Sequence, residues 1–292
     1  MSYSILYFKK NVSIFASGNQ TTNLMKYAEY IKKIEIDSLW SGRKHIVWEL
    51  DRRVNILSGV NGVGKSTILN RLITPLGFPD KGELPQGNGV KVDVVPEDAT
   101  HIRYDVIRSI DRPLINAEIA SKLDFNVATE LDLQLFTLQR RYLDYQVNIA
   151  NRMIAALQEG KAEEAQRLSS VKTRFQDMID RLFSETGKTI VRTANEIRFM
   201  QMGEELTPYK LSSGEKQILV ILLTVLVEDN LPYVLFMDEP EVSLHIDWQQ
   251  QLIELITTLN PNAQIILTTH SPAMIMNGWM DRVTEVSEIE GK

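Results

Sequence analysis

The apolar positions of the first half of the chain fall in short, Ile- and Val-rich runs separated by turn residues, the pattern of strands. Runs at 34–36, 45–50 and 54–57 predict three strands, the third leading into a glycine-rich turn and a helix over 66–73 that stops ahead of Pro75. Residues 77–89, rich in Gly and Pro, predict a loop, and 90–95 and 101–107 two further strands. Upstream, 1–32 reads as an N-terminal extension, with brief strands at 5–8 and 12–15 and a helix over 23–31.

The period changes after residue 130. Leu135, Leu138, Tyr142, Tyr145, Ile149, Met153 and Leu157 recur at steps of three and four, which is helical spacing. Gly160 interrupts the pattern, and Ala165, Leu168, Val171, Phe175, Met178 and Leu182 resume it. Residues 131–183 therefore predict two antiparallel helices, either a hairpin inserted into the main domain (33–130 and 184–292) or two core helices of that domain. Strand-like alternation returns over 190–202, with a turn near Gly203. A helix (215–228), a strand (233–237), a helix (248–259) and strands at 264–268 and 282–286 follow. Strands alternating with helices imply an α/β fold with a parallel sheet.

Composition narrows this picture. The 292 residues include no cysteine, which excludes disulfides and cysteine-ligated metal centres. The net charge of −6 gives no sign of a globally basic nucleic-acid clamp. Lys9 and Lys10 follow rather than precede the first apolar run, so no secretory signal is read there, and no apolar run is long enough to span a bilayer. The expectation is a cytoplasmic protein without a membrane partner.

The strongest chemical signal is Gly59-Val60-Asn61-Gly62-Val63-Gly64-Lys65-Ser66, followed by Thr67. It matches G-x-x-x-x-G-K-S/T between a predicted strand and a predicted helix, the context such a loop requires. Its glycines let successive backbone N–H groups point at one phosphate, and the helix that follows adds its positive end. Lys65 is placed for the β- and γ-phosphates and the Ser66 hydroxyl for Mg²⁺, so ATP and Mg²⁺ are the expected ligands. The apolar run Tyr233-Val234-Leu235-Phe236-Met237 then delivers Asp238 and Glu239 to a strand's C-terminal end, where ligands sit in open α/β sheets. Asp238 suits the Mg²⁺ shell, and Glu239 suits activation of an attacking water.

Leu211-Ser212-Ser213-Gly214-Glu215 resembles the signature motif of ABC-type ATPases, L-S-G-G-Q, with Ser213 for the first Gly and Glu215 for Gln. With Lys216 and Gln217 it resembles the RecF/SMC-like and OLD-like branches more than the ATPase subunits of transporters. A hydroxyl and backbone N–H groups at a helix start make a second anion cradle, which the resemblance assigns to the γ-phosphate held by another copy. Val242-Ser243-Leu244-His245 resembles the D-loop, and His270, after Leu267-Thr268-Thr269, the switch histidine. The family's Q-loop glutamine has no counterpart between Gly87 and Leu133; Asp105 and Asp111 are candidates for its place. Trp40 and Trp48 are candidates for stacking on adenine, or for strand packing, and Arg43 for a phosphate contact.

The resemblance implies a P-loop fold of the ABC-ATPase type and an ATPase that closes head to tail around two nucleotides. The short helical pair makes the chain resemble the compact AAA-family ATPases encoded beside bacterial anti-phage effectors, the OLD-like and Septu-type among them. Because the sequence closes soon after His270, the effector in that reading is a separate chain. The alternative is a RecF-like DNA-repair ATPase, for which Arg140, Arg141, Arg152, Lys161, Arg167, Lys172, Arg174 and Arg181 are the available cations.

Overall fold

The computed structural model describes residues 25–39, 44–77, 82–85, 87, 89–108, 113 and 127–291. The strands expected at 5–8 and 12–15, and Trp40, Arg43 and Asp111, lie outside the described residues.

The centre is a parallel sheet of five strands in the order β13-β4-β12-β11-β7. These are β4 (Val54–Ser58), β7 (Tyr104–Arg108), β11 (Tyr233–Asp238), β12 (Ala263–Thr269) and β13 (Val283–Glu285). Beside it lies an antiparallel sheet in the order β3-β2-β5, formed by β2 (Tyr30–Leu39), β3 (Lys44–Glu49) and β5 (Val90–Val95). Among the described residues there are two smaller sheets: β1 (Tyr27–Ala28) with β6 (His101–Ile102), and β8 (Lys188–Ile190), β9 (Phe199–Gln201) and β10 (Glu204–Leu206) as an antiparallel meander.

Alternation along the central strands separates two cores. Leu57, Val234, Phe236 and Ile266 face α1 (Lys65–Ile73) and the antiparallel sheet. Ile56, Leu235, Met237, Ile265 and Leu267 face the other way. That side is covered by α2 (Glu130–Gln158), α3 (Ala162–Leu182), α4 (Ser213–Val227) and α5 (Ile246–Leu259). Both faces are buried, which explains why β11 is apolar from Tyr233 to Met237 and why every residue of β12 is buried. Two short helices, α6 (Pro272–Met276) and α7 (Val286–Ile289), close the chain.

The helix expected over 23–31 is corrected by the structure to the strands β1 and β2, so the last part of the supposed extension belongs to a sheet. The cause is remote in sequence. The buried amide of Gln264 accepts from the Ile31 N–H at 2.8 Å and donates to the Ile31 carbonyl at 2.8 Å and to that of Asp51 at 2.8 Å. The strand read over 101–107 is two strands, β6 and β7, which pair in different sheets.

The helices α2 and α3 are joined around Gly160, whose φ of 76° suits a residue without Cβ. Thr129 and Asp132 form a capping box at the start of α2. Ala156, rather than Leu157, completes the buried face of α2. Two ion pairs tie α2 alongside α4 in the same direction: Lys216 to Asp132 at 2.7 Å, near the start of both helices, and Arg141 to Glu228 at the end of α4.

A candidate nucleotide site at the edge of the parallel sheet

β4 ends at Ser58, and the turn that follows reaches α1 through Gly59, Gly62 and Gly64, with φ values of 153°, 81° and 104°. A Cβ at Gly62 or Gly64 would strain the backbone. Gly64 itself is the left-handed N-cap of α1, and no acidic residue stands in the helix's first turn. The exposed Asn61 and Gly62 and the half-exposed Gly64, Ser66 and exposed Thr67 therefore surround a helix start that favours anions. Lys65 is buried, and its ammonium is held inside this loop by the carbonyls of Gly59 at 2.8 Å and Val60 at 3.3 Å.

Ser66 donates its hydroxyl hydrogen bond to Asp238 Oδ1 at 2.8 Å. Thr268, on the adjacent β12, donates to the same oxygen at 2.6 Å. Hydroxyl and carboxylate oxygens gathered at one point are the donor set that a hard cation such as Mg²⁺ takes. Next in line, Glu239 adopts a left-handed φ of 50°, a conformation that costs a non-glycine residue free energy and clusters at functional sites. Its N–H is held by Thr268, through the carbonyl at 3.0 Å and the hydroxyl at 3.1 Å. His270 Nδ1 stands 3.3 Å from Glu239 Oε1 and 3.6 Å from Glu241 Oε1.

Thr268 and Glu241 are residues that sequence reasoning left without a role. Glu241 is buried, and its Oε1 accepts from the Thr269 hydroxyl at 2.6 Å and the His270 N–H at 3.1 Å. The signal for it was a third acid two positions past Glu239, in a chain segment that returns from the sheet edge.

Ser212 caps α4, and Ser212 and Ser213 are exposed at its N-terminus. Glu215 turns inward. Its carboxylate accepts from the Ser212 N–H at 2.9 Å, Thr186 at 2.8 Å and Lys188 at 2.9 Å. Burial alone would raise its pKa, but Lys188, the Ser212 N–H and the two hydroxyls outweigh burial and hold the carboxyl below its ordinary value. Gly214 is a close-approach position: a Cβ there would lie 2.4 Å from the Ser243 carbonyl, in the segment expected to be the D-loop. The starts of α1 and α4 thus flank one edge of the parallel sheet from opposite faces.

One expectation does not fit, and one is resolved between its alternatives. Asp105 is opposite Leu235 rather than Asp238, and it makes a two-pronged ion pair with Arg141 at 3.0 and 3.1 Å, so it is not a Mg²⁺ ligand. Burial first, then the Asp105 charge, raises neighbouring Glu228 to about 7 against the pull of Arg141 and Arg103. For Trp48 the strand-packing alternative holds: it is a buried core residue of β3 and is not available to stack on a base. The position opposite Asp238 on β7 is Arg108. Of the hairpin cations, Arg141, Arg152 and Lys161 are ion-paired within the chain, and Arg174 and Arg181 donate to backbone carbonyls.

A phosphate loop facing a strand-end carboxylate pair defines the class, a P-loop nucleotide-binding protein of mixed α/β fold. Comparison with known proteins then gives the family. Residues 98–276 match the family described as "AAA domain, putative AbiEii toxin, Type IV TA system", and the chain belongs to it.

Among characterised relatives, the Septu protein PtuA of Bacillus thuringiensis is 25% identical over 309 aligned positions, covering 84% of this chain and 72% of that one. The retron Vc95 probable ATPase of Vibrio cholerae serotype O1 biovar El Tor is 24% identical over 131 residues, 38% of this chain. This match spans only 26% of the retron protein's length. Among solved structures, an SMC head bound to the C-winged helix domain of ScpA matches at 18% identity and a TM-score of 0.49, covering 85% of this chain and 91% of that one. The SMC head domain from Thermotoga maritima matches at 17% and 0.45, covering 87% and 94%. Among the described residues no helix is long and apolar enough to cross a membrane.

Proposed function

We propose that this protein binds ATP with Mg²⁺, hydrolyses it, and pairs head to tail with a second copy to regulate a separate effector protein in bacterial anti-phage defence. The observation that carries the pairing is the placement of α1 and α4. Their N-termini lie at the same sheet edge but on opposite faces, so the anion cradle at Ser212, Ser213 and Gly214 stands apart from the chain's own phosphate loop and is available to another copy's nucleotide.

In this reading the loop from Gly59 to Thr67 holds the phosphates, and Lys65 leaves its two carbonyl partners to meet the β- and γ-phosphates. Ser66 and Asp238 hold the cation, which when bound neutralises charge on the phosphates. Glu239 orients the attacking water and receives its proton, while His270 contacts the γ-phosphate and reports its loss through Glu239 and Glu241. Residues 131–183 act as a hairpin insertion whose surface is offered to partners. The kinship with the Septu protein and the retron ATPase supports the defence setting. Three of the eight cations named for the DNA-repair alternative, Arg141, Arg152 and Lys161, are already ion-paired within the chain, which weakens that alternative.

The test is the mass of the native complex purified from its own operon with Glu239→Gln and ATP. An even-numbered assembly carrying a second gene product supports the proposal. A monomer with ATP bound, or a bare dimer that shifts DNA, overturns it.

A further inference from the structure

Helix α2 carries two apolar faces. One is the buried face that packs on α3 and α4. The other runs from Leu133 to Leu157 at strictly alternating steps of three and four, and it lies almost opposite the first. That spacing is a heptad seam of three and a half repeats, which marks a helix built to pack along another helix. Its six large apolar residues are 42 to 61% exposed, and nothing among the described residues covers them. On one flank the 195–197 segment is fixed to α2 through Gln139 and Gln146. On the other flank Thr137, Asp144 and Asn151 are exposed, leaving the approach open.

The geometry points to a second copy of this chain as the occupant, with its α2 laid antiparallel across this one. The seam is self-complementary about Tyr145. Reversed on itself, it sets Leu133 against Leu157, Phe136 against Ile154, and Leu143 against Val147 of the second copy. The one charge in the seam, Arg140, falls opposite Ala150, the smallest residue in it. A parallel, in-register pairing instead stacks Arg140 on Arg140, two like charges in a desolvating seam. A single polar seam position that selects one alignment is a known device of helix pairing.

The seam is ~36 Å long. Burying its apolar side chains in both copies removes on the order of 1,000 Å² of surface, the lower limit for a specific interface. This contact is distinct from the ATP-dependent pairing proposed above and does not depend on it. Where both operate, dimers join into larger even-numbered assemblies.

The absence of native cysteine makes the test direct. Phe136→Cys and Ile154→Cys are made singly in the full chain, each with Lys65→Ala so that nucleotide plays no part. Circular dichroism checks that each is folded. In the antiparallel arrangement neither variant cross-links to itself, because like positions are ~27 Å apart along the axis. Their mixture forms the hetero-disulfide dimer. Sedimentation of the cysteine-free chain without nucleotide shows a monomer–dimer equilibrium, and Leu143→Glu shifts it at least tenfold towards monomer. Self-cross-linking of either variant means a parallel pair and overturns the inference. So does a chain that stays monomeric at ~100 µM, a dissociation constant too weak for a seam of this size.

Discussion

Ser66 and Asp238, separated by 172 positions in the chain, meet at 2.8 Å through a hydroxyl-to-carboxylate hydrogen bond. The bond joins the first turn of α1 to the end of β11, so the helix that follows the phosphate loop and the strand that carries the acids are fixed to one another. Thr268 converges on the same oxygen.

Removing the Asp238 charge is expected to cost about 100-fold or more in phosphate release, since the cation's stabilising charge has no other anionic anchor in this pair. Asp238→Asn should also raise the Mg²⁺ concentration needed for half-maximal rate. A Mg²⁺ titration of turnover that matches the unaltered protein would falsify the assignment.

Glu239 separates stability from activity. Its left-handed φ predicts that Glu239→Gly stabilises the fold by about 1 kcal/mol, because glycine adopts that conformation without strain. Turnover should fall by about 100-fold or more in both Glu239→Gly and Glu239→Gln, with nucleotide binding kept. Thermal unfolding and single-turnover rates read the two effects; a Gly variant that is less stable contradicts the strain account.

Gly214→Ala tests the contact between the start of α4 and the segment after the acids. With a Cβ set 2.4 Å from the Ser243 carbonyl, either α4 or that segment must shift, at about 1–3 kcal/mol. The expected result is a lower unfolding temperature together with loss of ATP-dependent association. Full association in the variant counts against a shared interface there.

Glu215 carries the pH dependence. Its folded pKa lies below the ordinary glutamate value, so its stabilising contribution is complete above that ordinary value and is lost as pH falls from there through the folded value. Glu215→Ala leaves Lys188 without its carboxylate partner and should cost about 3 kcal/mol at pH 7. The gap between variant and parent should narrow in acid. A gap that is constant down to pH 3 excludes the linkage.

The placement of the glycine-rich loop, Asp238, Glu239 and His270 at strand ends was legible because each follows an apolar run in the local sequence. Gln264 and Glu241 were not. Their roles depend on partners, Ile31 and Thr269–His270, that only the folded sheet brings within reach. The strand at Ile31 was misread for the same reason, since its backbone bonds are supplied in part by a side chain 233 positions away. The second face of α2 is fully spelled in the sequence, but one periodic stripe cannot be ranked above another until burial assigns the core.

The two ion pairs between α2 and α4 make those helices one beam, fastened at Asp132–Lys216 and again at Arg141–Glu228. A third pair, Arg152 to Asp229 just past the end of α4, extends the fastening to within ~9 Å of the end of α2. α2 and α4 are therefore held together as one rigid body whose near end lies at Ser212. A ten-degree rotation of that body about Asp132 would carry the far end of α2, ~39 Å away, through ~7 Å.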